Sequence, residues 1–253
     1  MKKIHLKEEV KEFKLLLSSV PAFTVVVFVL SVVAMNLLAN KSIDTHTEYL
    51  ALDCGILLSW ASFLAMDMLT KHFGPKAATQ ISLLAAAVNL ALCLVFFIAS
   101  VIPGAWGESF VEGSESIINS ALDNTFGGTW YVLLGSTAAF TASAIVNNTL
   151  NFAVGRAFKK RPDGIGAYVL RSYVSTAVGQ FVDNFIFALI VGKVFFGWSW
   201  IACVTCSATG MLVELLCEVI FSPLGYAVCK RWKSRGVGRE YFEYVESRKV
   251  EKQ

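Results

Sequence analysis

Charge is scarce in this chain of 253 residues: 16% is Asp, Glu, Lys or Arg, against 55% hydrophobic and 13% aromatic. Soluble domains carry about a quarter charged residues, so the balance excludes an ordinary water-exposed surface. Histidine numbers three, His5, His46 and His72, all outside the apolar runs. No H-E-x-x-H and no G-x-S-x-G occurs, so the metalloprotease and serine-hydrolase patterns are absent. The glycine motifs of a paired-aspartate membrane protease do not flank Asp53, Asp67 or Asp183. There is no G-x-x-x-x-G-K-[ST], hence no ATP hydrolysis in these residues, and no filter repeat or ring of like charge to suggest a channel. Cys203 and Cys206 form a single C-x-x-C with no second pair or histidine partner, which reads as two small residues on a helix face. No small-x-small cleavage pattern follows the first apolar run. The reading is of a non-enzyme that requires no cofactor and no metal.

Long apolar runs are what the sequence has. Six recur, at Val20–Leu38, Ala51–Thr70, Ala77–Ile102, Trp130–Val154, Ala167–Phe196 and Trp200–Tyr226, and mean hydropathy is +0.59. About twenty apolar residues cross roughly 30 Å of hydrocarbon as a helix. The expected fold is an all-α integral membrane protein, a bundle of six transmembrane helices. Basic residues set its orientation. Of 22, five lie in the N-terminal tail, two in the second loop, five at the fourth and eight beyond Tyr226, leaving Lys41 and Lys193 on the opposite side. Both termini are therefore expected in the cytoplasm. Residues 1–19 form an amphipathic surface tail, 20–226 the transmembrane domain and 227–253 a basic tail. The slight positive net charge follows from this topology and implies no nucleic acid.

Polar residues acquire depth at about 1.5 Å per helical residue. An outer cluster gathers Asn36, Asn40, Lys41, Asp53, Gln180, Asp183 and Asn184. An inner one gathers Asp67, Lys71, Asn147, Asn148, Asn151, Arg171 and Glu218, with Glu214 nearer the middle. Asp53, Trp60 and Asp67 fall at heptad intervals and are expected near one helix face. Ser172, Ser175, Thr176, Gly179, Asp183 and Phe187 form a stripe of small and polar side chains, along which a helix or ligand could approach closely. Helix-to-helix contact and snorkelling end groups account for Lys41, Asn40 and Lys71 as well as any function does. Asp183, Gln180 and Glu214 lie deeper and point to binding or gating. Arg171 should be held by Asp67 or Glu218, as an inner gate or a static brace. In the third loop, Ile117, Ile118, Leu122 and Phe126 have helical spacing, expected as a surface helix or lid.

Four segments resemble one family. VSTAVGQFVDNFIFALIVG (Val174–Gly192) is similar to the S-T-x-x-G-Q-x-x-D-x-x-I-F segment of queuosine precursor transporters, the vitamin uptake transporter family of bacteria. MDMLTKHFGPKAA, ELLCEVIFSPLGYAVCKRWK and AMNLLANKSI resemble further segments of that family, so the likeness covers nearly the whole chain. It implies a six-helix carrier in the bacterial plasma membrane, similar in layout to the substrate-binding subunits of energy-coupling-factor importers. The substrate would be a 7-deazaguanine, such as preQ0, preQ1 or queuine, imported for tRNA modification. Asp183 or Asp53 would take the N1–H and amine of the ring, Gln180 or Asn36 the carbonyl edge, and Trp60 or Phe187 the ring face. The chain departs from the family at Lys71, where many members have glutamate, and at Glu214, where they have lysine. The pair reads as a charge swap that could meet across the bundle.

Two other readings stay open: the same fold loading another vitamin or purine for a separate ATP-driven module, and a non-transporting membrane scaffold or receptor. Homo-oligomerisation and an energising module are left open as well. The partners expected from the resemblance are a purine-like small molecule and the lipid bilayer.

Overall fold

The computed structural model describes residues 2–43, 46, 52–106, 113–128, 130–157, 165–194 and 197–250. Among them α1 (Lys2–Ser19), α2 (Ala22–Leu38), α3 (Ile56–Phe73), α4 (Pro75–Val101), α5 (Glu115–Asp123), α6 (Trp130–Ala157), α7 (Ile165–Phe187), α8 (Trp200–Ser234) and α9 (Arg239–Val250) follow in order. A two-residue antiparallel ladder, β1 (Ser42–Ile43) with β2 (Leu52–Asp53), lies between α2 and α3 and pairs Ser42 with Asp53. Each of the six apolar runs lies largely on one of α2, α3, α4, α6, α7 and α8. The chain is helical, as its apolar periods require.

Local signals place the breaks. Pro21 sits between α1 and α2, which meet at 101°, because a ring at that position removes the N–H that would continue α1. Gly74, at φ +92°, ends α3, and Pro75 opens α4 with the φ a first helical turn needs. Pro223 lies inside α8, which runs on to Ser234, eight residues past the apolar run. After Phe187, a π-helical stretch Ala188–Lys193 prolongs α7.

The distribution of side chains is inverted relative to a soluble protein. Phe23 and Leu30 of α2, Leu94 and Val101 of α4, and Leu212, Leu216 and Ile220 of α8 are exposed. Asn36, Asp67, Asn147, Asn148, Asn151, Ser172 and Gln180 are fully buried. Apolar surface facing outward around a polar interior is the arrangement hydrocarbon requires, since lipid satisfies no polar group. Among the described residues three helices are long and apolar enough to span by themselves, Pro75–Val101, Tyr168–Lys193 and Trp200–Ser234, and up to five if each of two bent pairs counts as one. The 18-residue α3 is not among them, because Asp67, Lys71 and His72 crowd its second half.

Within the bundle α7 packs between α6 and α8, while α3 packs on α8, α2 and α4. α1 is more than a surface tail. Its Leu16, with Val20 just after it, joins a core shared with Phe73 of α3, Trp232 of α8 and Tyr241 of α9. Arg248 of α9 bridges Glu8 at 3.1 Å, Glu9 at 3.2 Å and also Glu12, and Lys76 meets Glu9 at 2.9 Å and Glu12 at 2.7 Å. The ammonium of Lys76, bonded to Glu9, holds that carboxyl below its usual value of 4.5. This collar marks the terminal end of the bundle, and the hairpin marks the other.

α5 forms where helical spacing predicted it. Its following turn carries Phe126 onto Trp106 and Phe96, with centroids 5.1 and 5.2 Å away, so the segment packs on the end of α4. Glu108 and Glu112 of the same loop, and the basic residues Lys159, Lys160 and Arg161, lie outside the described residues.

Candidate polar cavity and the buried network beneath it

A cavity opens at the hairpin end, between α2, α3, α6, α7 and α8. Three carboxylates line it, Asp53, Asp183 and Glu214, with Phe187 and Trp198, and among the described residues no lysine or arginine belongs to the wall. The space open to the centres of water molecules is about 90 Å³. One water needs roughly 10–15 Å³ on that measure, so the cavity admits a small molecule rather than a single solvent.

Each acid is positioned by its own element. Asp53 ends β2 and accepts the Gly55 N–H at 2.7 Å, just ahead of α3. Gly55 itself passes Met35 of α2 so closely that a Cβ would sit 2.6 Å from the Met35 carbonyl oxygen. Asp183 of α7 accepts from Ser143 of α6 at 2.9 Å. Glu214 of α8 accepts from Ser59 of α3 and from Asn184 of α7 at 3.4 Å. Gly210, one turn before Glu214, leaves room for Asn184, whose Nδ2 would lie 2.7 Å from a Cβ there.

Of the residues singled out for substrate, Asp53, Asp183 and Phe187 reach this cavity. Asn36 stands behind the wall: it donates to the Val32 carbonyl at 2.8 Å and accepts from Ser136, which does line the cavity. Trp60 is turned elsewhere, stacked on Phe221 of α8 with centroids 3.9 Å apart. The heptad reading of Asp53, Trp60 and Asp67 fails for a simple reason. Asp53 precedes α3 and belongs to the hairpin, so helical phase does not govern its direction.

Toward the terminal end lies a second polar layer. Asp67 of α3 accepts from Asn147 at 3.1 Å, Asn151 at 2.7 Å, Thr176 at 3.3 Å and Ser172, with the Ser175 hydroxyl 3.4 Å away. Ser172 also contacts Glu218 of α8 at 2.6 Å. Thr70 donates to Asn148 at 3.1 Å and Asn148 to Thr79 at 3.2 Å, extending the network to α4. Arg171 packs against Gly155, with Nη1 2.9 Å from where a Cβ would be, and its charge acts on Asp67. Gln180 lies between the two layers on α7, fully buried, with neither amide atom hydrogen-bonded among the described residues.

Lys71 and Glu214 are not brought together. Glu214 holds Ser59, twelve residues and about 18 Å of helix before Lys71. Lys71 lies at the terminal end with His72, Lys230 and Lys233. Cys203 and Cys206 are unbridged, and Cys206 lines the cavity. Sequence reasoning missed Ser59, Ser136 and Trp198. Neither serine has an acid within a helical turn of it in the sequence, so no local signal marked them, and Trp198 sits in a short connection without periodicity.

The chain matches the family described as "Putative vitamin uptake transporter" over residues 53–228, well over half its length. No curated protein and no solved structure matches it. The matched region begins at the hairpin carboxylate and ends on α8, and so contains both polar layers. An apolar-faced helical bundle with a small-molecule cavity is what a multi-pass uptake protein needs, and the chain belongs to the vitamin uptake transporter family.

Proposed function

We propose that the protein imports a 7-deazaguanine, a queuosine precursor, across the plasma membrane of a bacterium. The observation that carries this reading is the cavity wall: among the described residues, three carboxylates, two aromatic rings and no basic side chain. A guanine-like ring presents N1–H and its amine side by side, and one carboxylate accepts both. Asp183 takes that edge, with Phe187 or Trp198 on the ring face. Two further acids favour a substrate with additional donors. The aminomethyl cation of preQ1 meets that demand, whereas the nitrile of preQ0 does not. Gln180, buried with unmet hydrogen-bonding capacity, stands ready to join the site when α7 shifts.

Six spans with both termini in the cytoplasm complete the proposal. The hairpin end then faces outward, and the cavity is filled from outside. Topology is checked at Ser114, which should label from outside as Ser114→Cys in a chain without its native cysteines. Uptake by liposomes holding this protein alone tests the function. Labelled preQ1 should enter and be displaced by preQ0 and queuine less well than by unlabelled preQ1. Binding without entry points instead to a receptor or to a subunit awaiting an energising module.

A further inference from the structure

The layer beneath the cavity contains a hydrogen-counting problem. Ser172 has one hydroxyl hydrogen and touches two carboxylates, Asp67 and Glu218 at 2.6 Å. A contact of that length between two oxygens needs a hydrogen between them. Asp67 is the saturated acceptor of the two: Asn147, Asn151, Ser172 and Thr176 direct donors at its oxygens, while the single Ser175 hydrogen goes to the Ser172 carbonyl at 3.0 Å. A carboxylate accepting that many is fully used as an anion. With the serine hydrogen given to Asp67, the hydrogen between Ser172 and Glu218 has to come from Glu218. The other Glu218 oxygen is buried and has no hydrogen-bond partner among the described residues, which an ionised carboxylate could ill sustain. Glu218 is thus a neutral acid that donates to Ser172, which donates to Asp67.

We propose that Glu218 is the proton-binding group of the carrier, and that substrate import is coupled to entry of one proton through it. The inference rests on the transport reading above. In the step that releases the coupling ion, the Glu218 O–H bond breaks, the proton leaves to water at the terminal end, and the electron pair stays on the carboxylate. Two anions then flank one hydroxyl in a buried site, and the contact between α7 and α8 no longer holds. The groups around Glu218 bear on this step: Asp67 from α3, Tyr168 from α7 and Cys217 on α8 itself, with Arg171 acting through Asp67 and Tyr168.

The same three helices carry both layers, which is how the two sites are joined. α8 bears Glu214 in the cavity and Glu218 one turn on; α3 bears Ser59 and Asp67; α7 bears Asp183 with Asn184 and, further along, Ser172. A shift of α8 relative to α7 that opens the Glu218–Ser172 contact also moves Glu214 against Asn184. Occupancy of the cavity and protonation of Glu218 therefore bias one rearrangement, the condition for coupling between sites.

The test uses the full chain in proteoliposomes, with membrane potential clamped at zero and labelled preQ1 as probe. Equilibrium exchange of the probe is measured first, because its absence in the wild type defeats the transport reading and not this one. In that event the buried acid is still read directly, as a protonated-carboxyl infrared band present in the wild type and lost in Glu218→Gln. Failure to find that band overturns the proposal. Where exchange occurs, an inward proton gradient should drive accumulation of about tenfold per pH unit at one proton per substrate, and a sodium gradient should drive none. Glu218→Gln, whose amide still donates to Ser172, should retain exchange and lose gradient-driven accumulation. Glu218→Asp, which keeps a titratable acid, should retain coupling with a displaced pH profile and serves if the glutamine variant fails to fold. Wild-type accumulation by Glu218→Gln, or accumulation driven by sodium and indifferent to pH, refutes the assignment.

Discussion

Replacing Asp67 by asparagine changes one atom at the junction of α3, α6 and α7, and its cost can be worked from the contacts. Asn147 and Asn151 donate amide hydrogens to one carboxylate oxygen at 3.1 and 2.7 Å, while the hydroxyls of Ser172 and Thr176 face the other. An asparagine can keep its carbonyl toward the two amides and turn its NH₂ toward the hydroxyls, which rotate to accept. Geometry survives but charge does not. Hydrogen bonds to a charged group contribute about 1.5–3 kcal/mol and neutral ones about 0.5–1.5, so the two amide bonds together weaken by about 2 kcal/mol. Arg171 also loses an opposing charge that acts on it, which adds to the loss. At about 2–4 °C per kcal/mol for a chain near this size, Asp67→Asn should lower the unfolding midpoint in detergent by at least about 4–8 °C. Asp67→Ala, which strands both amide donors, should lower it further. A midpoint for Asp67→Asn within about 1 °C of wild type would show that Asp67 is not the ionised hub of this layer.

Asp183→Ala removes the proposed ring-edge acceptor but leaves Ser143 at a cavity wall able to take water; uptake should fall at least tenfold while folding, read by gel filtration and unfolding midpoint, is kept. Arg171→Ala should impair folding or transport, and combining it with Asp67→Asn should recover part of the loss; a double variant no better than the single would remove the charge pairing. The collar of α1 and α9 should loosen in acid. Glu9 has its folded pKa lowered by Lys76, so its contribution is present above the unfolded value of 4.5 and is lost as pH falls through the lower folded value. Protease cleavage between α8 and α9 should therefore rise below about pH 4.5, and should rise less over that range in Glu9→Gln.

Much of this architecture was legible in the sequence, because hydrocarbon imposes a length and an apolar composition that few other environments do. The six runs lie on six helices, and the polar stripe of α7 does turn Ser172, Ser175 and Thr176 toward Asp67. Depth counting failed where the chain is not helical or where the helix is longer than its apolar part. Asp53 was assigned a helical phase it does not have, and Trp60 followed it to the wrong wall. Glu214 was grouped nearer the inner residues, although its partners Ser59 and Asn184 lie at the hairpin end. The docking of α9 on α1 was invisible for a different reason. Glu8, Glu9 and Glu12 read as the solvated face of an amphipathic tail, and Arg248, some 240 positions away, gives no local signal of meeting them.

Uptake of labelled preQ1 into liposomes that contain this chain and no other protein tests the central claim most directly. The account predicts saturable entry that Asp183→Ala abolishes, displaced by other 7-deazaguanines and untouched by unrelated vitamins. Liposomes that take up no more probe than empty vesicles, or that do so equally well with Asp183→Ala, would contradict it.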